Sequence, residues 1–401
     1  MLDVARLLCG NLKASEVLRH GKTNGSTPRE FLRFSQDKKP VVVWNVSRRC
    51  NLHCLHCYTE SKDLSYSDEL SHDEGKGLID QLTDFGVPVL LLSGGEPLYR
   101  PDILELARYA ALKGLRVVIS TNGTMISEEV ALNIKDAGVS YVGVSLDGLG
   151  VVHDRFRGVM GTFQKSLAAI GHCRDAGVKV GLRFTLTRYN SHQVEDIFQL
   201  VEDQGIHRVC FYHLVYAGRG RHRSRAILAM EESRRLIDTI FRKTQELYRR
   251  GWETEVLTVD NHADAPYLYM KLLREDPDRA EEVLKLLQWN GGNNSGIAIG
   301  CVDEKGNVHP DQFWHNYNLG NVRERNFGEI WTDTTDPLMA GLKDRKPLLE
   351  GRCSGCRFLD ICHGNSRVRA EAVHGRVWAP DPSCYLTDRE VATSDPMELA
   401  A

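Results

Sequence analysis

The sequence predicts an α/β fold, an open, partial (β/α)6 TIM-like barrel followed by a small cysteine-rich C-terminal domain. Three observations carry this. Six short apolar runs of strand character alternate with five helical stretches between residues 41 and 214. Each of those helical stretches ends at a glycine (Gly86, Gly114, Gly138, Gly177, Gly205), the cap chemistry that stops a helix before the next strand. Beyond residue 214 this alternation stops, and a second group of cysteines appears in the C-terminal part. Repeated β/α units imply a parallel sheet with right-handed crossovers. Six units are fewer than the eight of a closed barrel, and in such folds function collects at the C-terminal strand ends.

Taken in order, residues 1–39 are a polar N-terminal extension in which Leu2, Ala5 and Leu8 share one face of a short helix. The barrel is expected over 40–250. Its strands are 41–46, 87–92, 115–120, 141–146, 178–185 and 208–214, and its helices 73–85, 102–113, 127–137, 162–176 and 194–204. A basic loop follows the sixth strand, with Arg219, Arg221, His222, Arg223 and Arg225 close together, and then a long helix over 231–250. The connecting segment 251–300 is less regular and includes the turn-rich run Trp289-Asn290-Gly291-Gly292-Asn293-Asn294. Residues 297–310 read as a hairpin turning at Lys305-Gly306-Asn307, inside a C-terminal domain expected over 301–390. Residues 391–401 are read as a frayed tail.

A chain of 401 residues with 26% charged residues and a net charge of -3 has the composition of a soluble protein with one large and one small domain. That charge balance is no footprint of nucleic-acid binding. The apolar run 87–92 is interrupted by Pro88 and is too short to span a bilayer. No signal-peptide pattern is visible at the N-terminus, so a cytoplasmic location is expected. The 11 cysteines are clustered, which in a reducing compartment reads as metal ligation rather than disulfides.

Cys50, Cys54 and Cys57 stand at C-x3-C-x2-C spacing directly after the first strand. Three thiolates in a tight loop fill three corners of an iron–sulfur cube and leave one iron open. A zinc knuckle or packed thiols is the alternative. The second strand ends in Ser93-Gly94-Gly95-Glu96, where glycines admit a close approach and Glu96 offers an acceptor for an ammonium group. Ser120 and Asn122 end the third strand, and Ser145 and Asp147 the fourth. Such tips suit ribose hydroxyls and carboxylates, or equally helix caps and Asx-turns. Arg157 follows Ser145 by twelve residues and can pair with a carboxylate or form a surface salt bridge. Cys353, Cys356, Cys362 and Cys384 form a second group, enough to complete a cluster with no open iron or a four-cysteine zinc site. Cys9, Cys173 and Cys210 read as packed thiols.

The cysteine loop, the Gly-Gly-Glu turn and the tips at Ser145 and Arg157 together resemble the radical S-adenosylmethionine (SAM) superfamily. That resemblance implies a [4Fe-4S] cluster on Cys50, Cys54 and Cys57 with SAM chelating its open iron. Gly94, Gly95 and Glu96 would serve the SAM amino group. Ser120, Asn122, Ser145 and Asp147 would serve its ribose and carboxylate. Ser145 and Arg157 match SAM-contacting positions, and His56 or Tyr58 would pack on adenine. The second cysteine group resembles the SPASM/twitch extension. Asp311 and Ser366 stand where its two-cluster version has cysteines and Cys301 is left over, which implies one auxiliary [4Fe-4S] cluster. Residues 40–58, 351–370 and 381–388 resemble the tetrapyrrole-modifying branch, in particular its haem d1 biosynthesis members. That likeness implies didecarboxysirohaem as substrate, with two propionates lost on the way to the ring oxo groups, and a low-potential electron donor such as flavodoxin or ferredoxin. Some of Arg219, Arg221, Arg223 and Arg225 would then clamp substrate carboxylates, and His213 or His222 would ligate the substrate iron. Neither a nucleic acid nor a membrane is expected as a partner. A residue acting directly on the substrate is not legible. The competing readings are a peptide-modifying SPASM enzyme, for which residues 1–39 are too short to supply a leader-binding domain, an alternative-haem-synthesis decarboxylase, and a zinc-binding regulatory protein.

Overall fold

The chain starts with a two-residue strand, β1 (Leu2–Asp3), and a short helix, α1 (Val4–Cys9), capped by the Asp3 carboxylate, which accepts from the Arg6 N–H at 3.1 Å. The computed structural model describes residues 1–10, 39–222 and 224–392, without the side chains of His222 and Ser224. Most of the expected N-terminal extension and tail, together with Arg223 and the His222 ring, therefore lie outside the described residues.

The six predicted strands are present as β2 (Val41–Ser47), β3 (Val89–Gly94), β4 (Arg116–Thr121), β5 (Tyr141–Ser145), β6 (Val180–Leu186) and β7 (Arg208–His213). Helices α2 (His72–Phe85), α3 (Ile103–Leu112), α4 (Glu128–Asp136), α5 (Val151–Arg157), α6 (Thr162–Asp175), α7 (Val194–Asp203) and α8 (Met230–Arg249) connect and follow them. Ser71 and Glu74 form a capping box at the start of α2, and left-handed Gly86 ends it. Strands of this sheet are covered by helices on one face and by the barrel interior on the other. They accordingly read as apolar runs, with Val42, Val43, Trp44 and Val46 of β2 all fully buried.

Two further parallel strands come from the segment expected to be irregular and from the hairpin beyond it. β8 (Glu255–Val259) pairs with β7, and β9 (Ile299–Val302) pairs with β2. Both are short, and β9 is flanked by glycine and acidic residues, so neither stands out by apolar length alone. β10 (Val308–His309) completes the predicted hairpin with β9, with Gly306 at positive φ in its turn. The sheet order is β1-β8-β7-β6-β5-β4-β3-β2-β9-β10, with antiparallel β1 and β10 covering the two edges.

Helices α9 (Asp264–Glu275) and α10 (Pro277–Asn290) lie between β8 and β9. Then come α11 (Phe327–Thr332), α12 (Pro337–Lys343), α13 (Leu359–Cys362), α14 (Arg367–His374) and α15 (Asp388–Ala392). One continuous hydrophobic core runs from Leu2 through the barrel to Tyr385 and Val391. No helix of the described residues is long and apolar enough to cross a membrane.

The cysteine-bearing C-terminal segment is tied to the barrel by buried polar groups. Arg369 and Asp381, both without solvent exposure, form a forked ion pair at 3.0 and 2.8 Å, and Arg369 also donates to the carbonyl of Leu214 just past β7. Removing one partner strands a buried charge. Asp381→Ala should cost about 3–5 kcal/mol, read as a lower urea midpoint, and the double variant R369M/D381L should recover much of that loss.

Candidate active site

The loop from Cys50 to Cys57 leaves β2 and is fixed from several sides. The Cys50 N–H donates to the carbonyl of Lys62 at 3.1 Å, His53 N–H to that of Arg157 at 3.0 Å and Leu55 N–H to that of Phe156 at 3.0 Å. Gly95 packs so tightly under the loop that a Cβ there would stand 2.2 Å from the Arg49 carbonyl oxygen. Gly218, at φ +50°, would place a Cβ 2.5 Å from the carbonyl oxygens of Cys57 and Tyr58. Gly94, at φ +118°, would place a Cβ 2.5 Å from the Ser47 carbonyl oxygen, so both glycines of the Ser-Gly-Gly turn are required by the protein's own backbone.

Cys50, Cys54 and Cys57 form one wall of a cavity of about 980 Å³, counted to its open mouth. Its lining includes His56, Tyr58, Ser93, Gly94, Gly95, Ser120, Asn122, Ser145, Arg157 and His213. The structure therefore brings together at the strand tips most of the residues picked out in the sequence. Burial, then the charge of Glu96, pushes the Cys50 thiol up to about 12, and burial likewise raises Cys54. Arg157 counters this at Cys54, with Nη1 3.5 Å from its sulfur. A thiolate at Cys54 is thus favoured by the positive charge beside it.

Asp147 and Glu96 are fully buried behind the lining. Asp147 Oδ2 lies 2.5 Å from Arg157 Nη2, and Oδ1 accepts from the Thr185 N–H at 2.6 Å. Burial opposes its charge, but Arg157 and then His56 hold its pKa below the usual range. Asp147 thus orients Arg157 rather than facing the cavity. Glu96 is a correction. Its oxygens accept from the Thr121 hydroxyl at 2.7 Å and from the N–H groups of Asn122 at 2.8 Å and Leu98 at 3.2 Å, so its carboxylate fixes the β4 tip and lies behind the cavity lining.

His56 lies against Phe156, 4.7 Å between ring centroids, and burial pushes its pKa down to about 4. Tyr58 donates to Asn45 Oδ1 at 2.9 Å and meets the Ser93 hydroxyl at 3.1 Å. The basic loop also departs from expectation. Arg219 turns inward, Nε donating to the Cys54 carbonyl at 2.8 Å and Nη1 to that of Ser61 at 2.9 Å, so it braces the cysteine loop. Arg221 and Arg225 are exposed and off the cavity lining. His213 does line the cavity, with Nε2 3.0 Å from Asp264 Oδ2.

Sequence reasoning missed Arg183, Thr185, Tyr212, Asp260, Gln312 and Phe313, all on the cavity wall. Strand parity held the signal for the first three: Arg183 pairs with Ser145 across β5 and β6, and Leu182 and Phe184 beside it are fully buried.

Cys353, Cys356, Cys362 and Cys384 line a second, smaller cavity of about 380 Å³, with Arg352, Asn365 and Asp381. Burial pushes Cys384 up to about 11. Among the described residues no three Cys, His, Asp or Glu side chains converge on one ion-sized point; both cysteine groups ring cavities instead. Asp311 accepts from the Phe313 N–H, and Ser366 caps α14. Cys301 is a buried thiol receiving the Asn45 amide at 3.4 Å.

Residues 44–201 match the family model of the radical SAM superfamily. The chain is 56% identical over 394 residues to the Fe-coproporphyrin III synthase of Methanosarcina barkeri, covering 98% of this chain and 99% of that one. This chain belongs to the radical SAM superfamily. It is also 40% identical to the pre-heme d1 synthase of Dinoroseobacter shibae, over 89% of this chain and 88% of that one. In fold it is similar to Streptococcus suis SuiB bound to SAM, with TM-score 0.66 and 17% identity, covering 87% and 78% of the two chains. As a radical SAM enzyme it uses a [4Fe-4S] cluster and SAM. The cavity fits both: three cysteines share one wall, and His56 Nδ1 and Arg157 Nε are buried there with no partner in the protein.

Acid sensitivity follows from the neutral histidines behind the cavity. His153 takes the Asp147 N–H on Nδ1 at 3.1 Å, and burial lowers its pKa to about 4. An unfolded histidine titrates near 6.5, so between those values the unfolded chain binds the extra proton. Stability should be full above pH ~6.5 and fall as the pH drops towards 4. His153→Gln should flatten that decline in urea titrations at stepped pH.

Proposed function

We propose that this radical SAM enzyme removes side chains from an iron tetrapyrrole of the didecarboxysirohaem type to give an Fe-coproporphyrin III-type product. The observation that carries this is the 56% identity to Fe-coproporphyrin III synthase along 98% of the chain. The cavity agrees in character, since it joins the cysteine wall to an aromatic and basic volume formed by Tyr58, Tyr212, Phe313 and Arg183. The haem d1 direction is the second reading, favoured by the 40% identity to pre-heme d1 synthase.

When bound, the cluster and SAM supply a 5′-deoxyadenosyl radical that abstracts hydrogen from a substrate side chain. The chain supplies placement and exclusion of water. Cys50, Cys54 and Cys57 hold the cluster. Arg157, oriented by Asp147, offers Nε–H to the methionyl carboxylate. Asp147 Oδ2, 3.6 Å from His56 Nε2, favours the proton on that nitrogen and leaves Nδ1 to accept from the adenine amine. Gly94, Gly95, Ser120, Asn122 and Ser145 shape the remainder of the SAM subsite.

We further propose one auxiliary [4Fe-4S] cluster on Cys353, Cys356, Cys362 and Cys384, accepting the electron that the substrate must lose. Its support is that Asp311 and Ser366, the positions a second auxiliary cluster would need, are committed to hydrogen bonds in the fold. A low-potential donor such as flavodoxin or ferredoxin would reduce the first cluster.

Anaerobic incubation with SAM, reductant and didecarboxysirohaem, followed by mass spectrometry, tests the reading. An iron porphyrin keeping all its propionates is the expected product. Loss of two propionates would select the haem d1 direction, and unchanged substrate would refute both. Cys384→Ala should bind about four irons instead of about eight, still cleave SAM, and form no product; full turnover by that variant would remove the auxiliary cluster from the reaction.

A further inference from the structure

The cavity wall holds an arginine, Arg183, that no carboxylate of the described residues contacts directly. Arg183 of β6 makes no hydrogen bond and no ion pair with any described residue. The other polar groups near it are already paired. Arg157 is matched by Asp147, His213 by Asp264, and Arg208, nearer the N-terminal end of the barrel, by Glu255. Asp260 also faces the cavity and feels the Arg183 charge from a distance, but the two form no direct ion pair.

The site around Arg183 is built to receive it. Its guanidinium carbon stands 4.6 Å from the centre of the Tyr212 ring. Its Cδ passes over Gly143 of β5, where a Cβ would come within 2.8 Å. The fork is therefore held on an aromatic face, with its donors left for the cavity. Arg183 is half-buried, and a partly desolvated cation without a direct partner is stabilised when a ligand supplies the opposite charge. A planar fork of N–H donors is complementary to a carboxylate.

We propose that Arg183 is a carboxylate subsite that grips one carboxylate side chain of the tetrapyrrole inside the barrel, and so sets which side chain faces the cysteine wall. This rests on the tetrapyrrole reading above. A carboxylate could come from SAM as well, but that carboxylate belongs at the open iron, beside Arg157 and Cys54. Arg183 has Tyr58, Tyr141, Cys210, Tyr212 and Asp260 as its electrostatic neighbours instead. The expected clamp at the barrel mouth is not available from Arg219, which is bound to the cysteine loop.

The test is a double comparison on cluster-loaded protein. Wild type and R183Q are each titrated with iron coproporphyrin III and with its neutral tetra-amide, followed by the Soret band, and SAM affinity is measured by equilibrium dialysis. Loss of a charge-assisted pair predicts iron coproporphyrin III binding about 10–100-fold weaker in R183Q. The tetra-amide should bind both proteins within about twofold, because the subsite has no charge to meet there. SAM affinity should be unchanged. Equal binding of the tetra-acid by both proteins overturns the proposal. A loss confined to SAM overturns it too and assigns the carboxylate to SAM. Wild type that binds neither porphyrin defeats the tetrapyrrole reading and the subsite with it, a result distinct from the other two. If R183Q loses its clusters, R183K, which keeps the charge but not the fork, supplies the same comparison, and wild-type affinity there overturns the proposal.

Discussion

The cysteine loop must turn three sulfurs to one side while its own peptide groups are satisfied on the other, and the surrounding barrel is shaped by that requirement. A buried N–H or carbonyl left without a partner costs about 1–3 kcal/mol. The loop therefore draws hydrogen bonds from distant parts of the chain: Lys62, the end of α5 at Phe156 and Arg157, and Arg219 beyond β7. Where those parts meet it, glycine is required because no Cβ fits, at Gly95 beneath the loop and at Gly218 beside Cys57. The sulfurs are thus positioned by close backbone packing from several strand ends, which is a stiffer arrangement than a free hairpin could give.

Charge is distributed to match. Asp147 answers Arg157, and Arg157 answers the Cys54 sulfur, so a chain of alternating charge ends at the cysteine wall. Arg369 and Asp381 form a similar closed pair between Leu214, on the wall of the larger cavity, and the second cysteine group. His213, Asp264 and Tyr385 add a second polar connection, Tyr385 donating to Asp264 at 2.6 Å and following Cys384 directly in sequence. These links give the two cysteine groups fixed relative positions, which electron exchange between them would require.

Much of this was legible in the sequence because it is carried by short-range patterns. Helix-capping glycines mark the β/α units, and tight cysteine spacing marks both candidate cluster sites. What was not legible depends on where a side chain points after folding. Arg219 sits in a run of arginines that reads as a substrate clamp, yet its fork meets two carbonyls of the neighbouring loop. Glu96 reads as a ligand group and is instead enclosed by the β4 tip. Arg183 lies inside a strand whose apolar neighbours hide it, and only its register with Ser145 shows that it shares the cavity. β8 escaped notice, and β9 was read as a hairpin arm with no sign of its pairing to β2, because five- and four-residue strands carry little periodicity of their own.

β9 has a wider implication. It belongs to the C-terminal region that carries the second cysteine group, yet it hydrogen-bonds to β2, the strand that launches the first. Removing the C-terminal region would uncover the flank of β2 and present an adhesive row of amides to other molecules. The two cysteine-bearing regions are consequently poor candidates for shuffling as independent cassettes: either one loses its structural support when the other is cut away.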